Sequence, residues 1–213
     1  MKNNAASVVM AQRKEPKDSL DLFPTPPWAT RALVEHVLKP LDLYNASEAV
    51  WEPACGLGHM VRPLREYYDA VYYSDIKDYG GSDEVIPLDF LSRAGGGKST
   101  AAWVITNPPF NNLLKFITTG LEVATIGVAM FCQLRVLETI GRYNEIFLPY
   151  AGGFCIAPFV ERVPILSGRL DRNSSTATAY AWLVISHDKV LTPLIHIPPC
   201  RKRLEKDSDY ELL

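Results

Sequence analysis

Short apolar runs recur along the chain at regular intervals: EAVWEPA at residues 48–54, DAVYYSDI at 69–76, DEVIPLDF at 83–90, AAWVITN at 101–107, IGVAMFC at 126–132, GFCIAPF at 153–159 and TAYAWLVISH at 178–187. They are rich in Val, Ile, Tyr and Trp, the pattern of strands buried on both faces of a sheet. The segments between them change period. In PWATRALVEHVLKPL (27–41) the apolar positions Ala29, Leu33, Val34, Val37 and Leu38 recur at helical spacing. Thr25 stands where a capping residue would, and prolines are tolerated in a first helical turn. GHMVRPLREYY (58–68) and LLKFITTGLEVA (113–124) are also long enough for helices. Strands alternating with helices imply right-handed crossovers and a mostly parallel sheet covered on both faces, an α/β doubly wound domain.

A chain of 213 residues suits one catalytic domain. The pattern divides it into a flexible tail at 1–18, a domain at 19–200 and a polar tail at 201–213. Hydrophobic residues make up 47% and charged residues 22%, the balance of a soluble globular protein. No apolar run approaches the length of a membrane span and the first residues lack a signal-peptide core, so a cytoplasmic location and no membrane partner are expected. The four cysteines and four histidines neither pair nor cluster, and no metal is expected. A formal charge of −2 argues against a protein that coats nucleic acid through bulk positive charge. Any such contact must be local.

The chemistry concentrates at strand ends. VWEPACGLGHM places Glu52 at the end of one strand, followed by Gly56 and Gly58, glycines that let the backbone turn sharply beside a ligand. The next strand ends at Asp75, 23 residues later, where a carboxylate can accept two hydrogen bonds from a vicinal diol. The third ends at Asp89 and Phe90, an acceptor beside an aromatic ring. After the fourth comes NPPF, Asn107 to Phe110. Two prolines there fix the main chain and remove two donors. The Asn107 carboxamide oxygen and the Pro108 carbonyl could then accept both hydrogens of one amino group, while Phe110 offers a face for a planar substrate.

FPTPP, EPACGLG, SDI, LDF and NPPF follow the order and spacing of the class I amino-methyltransferases. Over roughly residues 20–188 the chain most resembles the N6-adenine DNA methyltransferases. The resemblance implies a Rossmann-like seven-stranded, mostly parallel sheet with an antiparallel last strand, AYAWLVISH. It implies S-adenosyl-L-methionine as cofactor, with Thr25 and Pro26 at the methionine carboxylate. Glu52, Ala54 and Gly56 would line the methionine end, Asp75 would meet the ribose, and Asp89 and Phe90 the cofactor adenine. Asn107, Pro108, Pro109 and Phe110 would hold the target amine, with nucleic acid as partner and DNA favoured over RNA. The chain departs from the family in one respect. The 66 residues from Asn111 to Thr176 are mostly taken up by two strands and their helices, leaving little room for a separate recognition region. The expected substitute is the loop ERVPILSGRLDRNSST, with Arg162, Arg169 and Arg172 reaching phosphates or bases.

Because protein-glutamine and RNA methyltransferases also use an NPP[YF] segment, both remain alternative activities, as does a cofactor-binding regulatory subunit without turnover. Two other patterns carry less. GGGKST lacks the glycine a phosphate-binding loop needs at position 92, which is Ser92, and reads as a flexible connector. His59 is not required as a base, because an amine can lose its proton after methyl transfer.

Overall fold

The computed structural model describes residues 22–81 and 85–211. The expected N-terminal tail at 1–18 lies outside the described residues. Seven strands form one sheet: β1 (Ala49–Glu52), β2 (Ala70–Asp75), β3 (Ile86–Pro87), β4 (Trp103–Thr106), β5 (Gly127–Gln133), β6 (Phe154–Pro158) and β7 (Tyr180–Ser186). Their spatial order is β3-β2-β1-β4-β5-β7-β6. The first five neighbours run parallel and β7 runs antiparallel to both β5 and β6. This is the Rossmann-like, doubly wound α/β sheet anticipated from the alternation, with its antiparallel last strand. Every apolar run supplied a strand: all seven residues of β7 and the first six of β5 are buried, while β2 is buried mainly at its end and the edge strand β3 is exposed.

The helices are shorter than the apolar period suggests. The first, α1, spans Pro27–Leu33 and continues as a wider π-type turn over Val34–Leu38. GHMVRPLREYY yields only α2 (Val61–Leu64), because Pro63 denies one backbone donor and the chain turns back into β2. α3 (Leu113–Val123) follows the expected segment and buries Phe116, Ile117 and Leu121. Thr25 does not cap α1. The cap position is taken by Pro26, whose carbonyl accepts the Ala29 amide at 2.8 Å. The GGGKST stretch is anchored: the Lys98 ammonium donates to the carbonyls of Leu121 and Ala124, closing the end of α3.

α1 is tied down at two points. The Trp182 indole on β7 donates to the Ala29 carbonyl at 3.0 Å. Arg31 is 3% exposed, and all five of its guanidinium protons are used. Two go to Glu66 at 2.7 and 2.9 Å, two to Asp209 at 2.8 Å, and one to the Leu204 carbonyl at 2.7 Å. The segment read as a polar tail therefore belongs to the fold. A short helix (Arg201–Leu204) and a 3-10 turn at Asp207–Tyr210 bring Asp209, itself buried, against α1. Its polar composition hid this, because here polar residues are buried by pairing. Among the described residues no helix is long and apolar enough to cross a membrane.

Removing one member of a buried pair strands the other charge. Asp209→Ala is expected to lower unfolding free energy by about 3 kcal/mol or more. Asp207→Ala, which breaks the exposed pair with Arg172, should leave the urea midpoint nearly unchanged.

Candidate active site

The strand ends converge on one cavity of about 430 Å³ at the carboxyl edge of the parallel strands, a volume ordinary for a small-molecule site. One wall is the strand-free segment Leu22–Thr25 ahead of α1. The floor comes from Glu52 to Leu57 after β1, and the far side from Asp75, Asp89 and Phe90. Asn107 and Pro109 close it beyond β4.

Glu52 is the deepest group, with no exposed surface. Its Oε1 accepts the Thr106 hydroxyl at 2.5 Å and the Ala54 amide at 3.0 Å, joining the ends of β1 and β4. Its Oε2 is buried and has no partner. Burial pushes the Glu52 carboxyl up to about 8, against which the Thr106 and Ala54 bonds pull down and the nearby Asp75 adds to the rise. Asp75 accepts from the Gly56 amide at 2.8 Å and from the Lys77 backbone amide at 3.2 Å. Burial raises its pKa too. Gly56 is required for two reasons: its φ is +52°, and a Cβ there would meet the Leu22 side chain at 2.9 Å.

The carboxamide of Asn107 is split in function. Its Nδ2 donates to the Phe23 carbonyl at 2.9 Å, and its Oδ1 is buried without a partner. Thr25 Oγ1 and His59 Nδ1, both from residues lining the same cavity, are also buried and unpaired. Burial and the neighbouring Arg62 hold the His59 imidazole down to about 4, so it is neutral at pH 7. Four orphaned polar atoms around one space are costly unless a polar ligand satisfies them.

The structure sorts the expected site residues. Thr25, Glu52, Ala54, Gly56, Asp75, Asp89, Phe90, Asn107 and Pro109 line the cavity. Asp89 Oδ1 accepts from the Leu91 amide, and Phe90 is only 2% exposed, packed edge-on against Trp51 at 5.2 Å and tilted against Phe116 at 5.0 Å. Phe90 is therefore mainly core, with little ring face to offer. Pro26 lies off the cavity as the α1 cap. Pro108 and Phe110 turn to an adjoining shallow hollow, which they share with Gln133, Arg135 and Arg142. Phe110 packs on Phe23 at 5.3 Å.

None of the three loop arginines lines the cavity. The loop is docked at its tip, where the Gly168 amide donates to the Leu22 carbonyl. Arg162 donates to the Ala177 carbonyl at 3.0 Å, and Arg169 borders a surface hollow with Arg172. Arg172 pairs with Asp207 at 2.7 Å and lies over the Tyr210 ring at 4.6 Å, both at the surface. The carboxylate that Arg172 meets, Asp207, comes from the C-terminal segment, distant in sequence.

Two contributors escaped the sequence reading. Thr106 looks like one more residue of an apolar strand, and the Phe23 carbonyl carries no side-chain signature. Thr106 directly precedes NPPF and Phe23 opens FPTPP, and only these positions marked them.

No protein-family model matches the chain, and no curated protein matches it in sequence. In fold it is similar to a DrdV–DNA complex, at 11% identity over 83% of this chain and 27% of that one, with a TM-score of 0.52. It is also similar to a Lactococcus lactis protein described as a candidate hemolysin, at 12% identity over 87% and 99% of the two chains, with a TM-score of 0.52. The 23S rRNA methyltransferase ErmE matches at 16% identity over 81% and 72%, with a TM-score of 0.49.

A carboxyl whose folded pKa is raised stabilises the fold fully below its unfolded value and loses that contribution as pH rises through the folded one. The Glu52 contribution is therefore present below about pH 4.5 and gone above about 8. Glu52→Gln should remove this slope, so that the difference in urea midpoint between variant and wild type shifts in the variant's favour from pH 5 to pH 9. A constant difference across that range would show that Glu52 titrates normally.

Proposed function

We propose that the protein transfers a methyl group from S-adenosyl-L-methionine to an exocyclic amino group, adenine N6 in DNA by preference. One observation carries the reading: a buried carboxamide oxygen without a partner, Asn107 Oδ1, at the edge of a cavity that also holds an unpaired buried carboxyl oxygen. The cavity suits the cofactor. Glu52 Oε2 would accept the methionine ammonium and Thr25 Oγ1 would donate to the methionine carboxylate. Asp75 keeps lone pairs for the ribose, and Asp89 with the Phe90 main chain would meet the adenine. When bound, the cofactor supplies an electrophilic methyl group.

The rest is done by the chain. Asn107 Oδ1 and the Pro108 carbonyl accept the two hydrogens of the target amine and so aim its lone pair into the cavity. They also draw off positive charge as it develops on nitrogen. Phe110 supplies the stacking face, and the proton is released after transfer, so no base is needed. Phosphate contacts fall to Arg162, Arg169 and the basic residues of the surface, with Arg172 contributing least. Such contacts make binding steeply salt-dependent and only weakly sequence-selective.

Incubating the protein with methyl-labelled cofactor and DNA, RNA or cell protein, followed by nucleoside and amino-acid mass analysis, tests the product. N6-methyladenine in DNA is expected. Label only in glutamine or only in RNA would replace the substrate, and no transfer at all would favour a regulatory cofactor-binding subunit.

Two further outcomes follow from the site. Asn107→Ala should lose more than tenfold in turnover, over ~1.4 kcal/mol, while binding cofactor nearly as well as wild type. Cofactor binding should expel the Glu52 proton, so affinity rises with pH up to about 8. Calorimetry at pH 6.5 in two buffers of different ionisation enthalpy should show proton release that Glu52→Gln abolishes.

A further inference from the structure

His59 follows the glycine turn after β1, two residues ahead of α2, and the site described above gives it no task. It lines the cavity, and its Nδ1 is buried with no partner among the described residues. Its place in the fold says which part of the cavity it serves. α1 and α2 pack together, and Arg31 in the last turn of one donates to Glu66, just past the end of the other. The two helices therefore leave the cavity side by side, and the residues ahead of them, Thr25 and His59, stand at the same end of it. The two approaches touch, since a Cβ on Gly56 would meet the Leu22 side chain at 2.9 Å. Thr25 Oγ1, like His59 Nδ1, is buried and unpaired.

A hydroxyl and a neutral imidazole can each donate or accept, so these two atoms alone do not choose between an anion and a cation. The surrounding charges do. Burial holds the His59 imidazole neutral, and the Arg62 guanidinium on α2 pushes in the same direction. The opposing carboxylate is Asp209, whose two oxygens are already taken by Arg31 and the Lys206 amide. Arg62 Nη1 is itself buried without a hydrogen-bond partner among the described residues. This end of the cavity is thus positive, while the unpaired carboxyl oxygen of Glu52 stands at the end of β1. A ligand carrying both an ammonium and a carboxylate is oriented by that division.

We propose that His59, through Nδ1–H, is a second donor beside Thr25 to the carboxylate of the cofactor's methionine moiety, and that it makes the site selective for cofactors carrying that carboxylate. The inference rests on the cofactor placement above. A neutral donor meets the anion without adding a second buried charge beside Arg62. His59 touches neither the methyl group nor the target amine, so it acts on binding and selectivity.

The test measures, by calorimetry, binding of S-adenosyl-L-methionine and of decarboxylated S-adenosylmethionine, which keeps the ammonium and lacks the carboxylate. Wild type, His59→Leu and His59→Asn are compared. Leucine fills the space without a donor, and asparagine carries an amide N–H close to where Nδ1 stands. His59→Leu is expected to bind S-adenosyl-L-methionine about tenfold more weakly, the worth of one hydrogen bond to a charged group, and the decarboxylated form within about twofold of wild type. His59→Asn should recover most of the lost affinity. Equal losses for the two ligands, no loss for either, or no recovery in His59→Asn would overturn the role of His59 while leaving the cofactor site standing. Wild type binding neither ligand would overturn the cofactor site as well. An atom left unsatisfied by the fold contributes nothing to it, so the urea midpoint of His59→Leu without cofactor should not fall. A fall would show that the fold itself uses Nδ1 and would also overturn the proposal.

Discussion

The hydrogen bond from the Asn107 carboxamide to the Phe23 carbonyl joins segments 84 residues apart and fixes which way the amide points. Rotating the side chain by half a turn would set two oxygens against each other, so the nitrogen is held at Phe23 and the oxygen is committed to the cavity. The wall that supplies Phe23 is in turn set by α1, and α1 by Trp182 and Arg31. The acceptor at the site is thus oriented by packing on the opposite side of the helix that follows Phe23. Thr106 extends the same logic across the sheet, since its hydroxyl turns Glu52 so that one carboxyl oxygen stays unsatisfied.

Much of the fold was legible because the central strands, buried on both faces, leave an unmistakable apolar run, and all seven runs became strands. The carboxylates at the strand ends were legible for a related reason: an acidic residue closing such a run has few structural uses. What the sequence hid depends on backbone and on pairing. The Phe23 carbonyl and the Gly168 amide have no side-chain identity to read. Asp209 and Arg172 look like surface charges until their partners, 178 and 35 residues away, are known. Phe90 lines the cavity, but its ring also fills the space between Trp51 and Phe116, which its position beside an acceptor did not reveal.

The distribution of charge constrains what the protein can recognise. A net charge of −2 and loop arginines partly committed to carboxylates and carbonyls leave little cationic surface near the cavity. On the reading proposed above, positioning near the target then falls to shape and apolar contact, while the few phosphate contacts keep binding salt-dependent. The hollow between Phe110 and the turn after β5 is the surface that answers this description.

The clasp around Arg31 also has a consequence for biosynthesis. Glu66 can pair with Arg31 early, but Asp209 and the Leu204 carbonyl are translated some 170 residues later. Until they leave the ribosome, a guanidinium sits half-neutralised against a sheet that also lacks β7, the strand that anchors α1 through Trp182. The Leu22–Thr25 wall is therefore the last part of the cavity to be secured, although it is among the first to be synthesised. A nascent chain therefore has no completed cavity until residues 204–209 have joined α1.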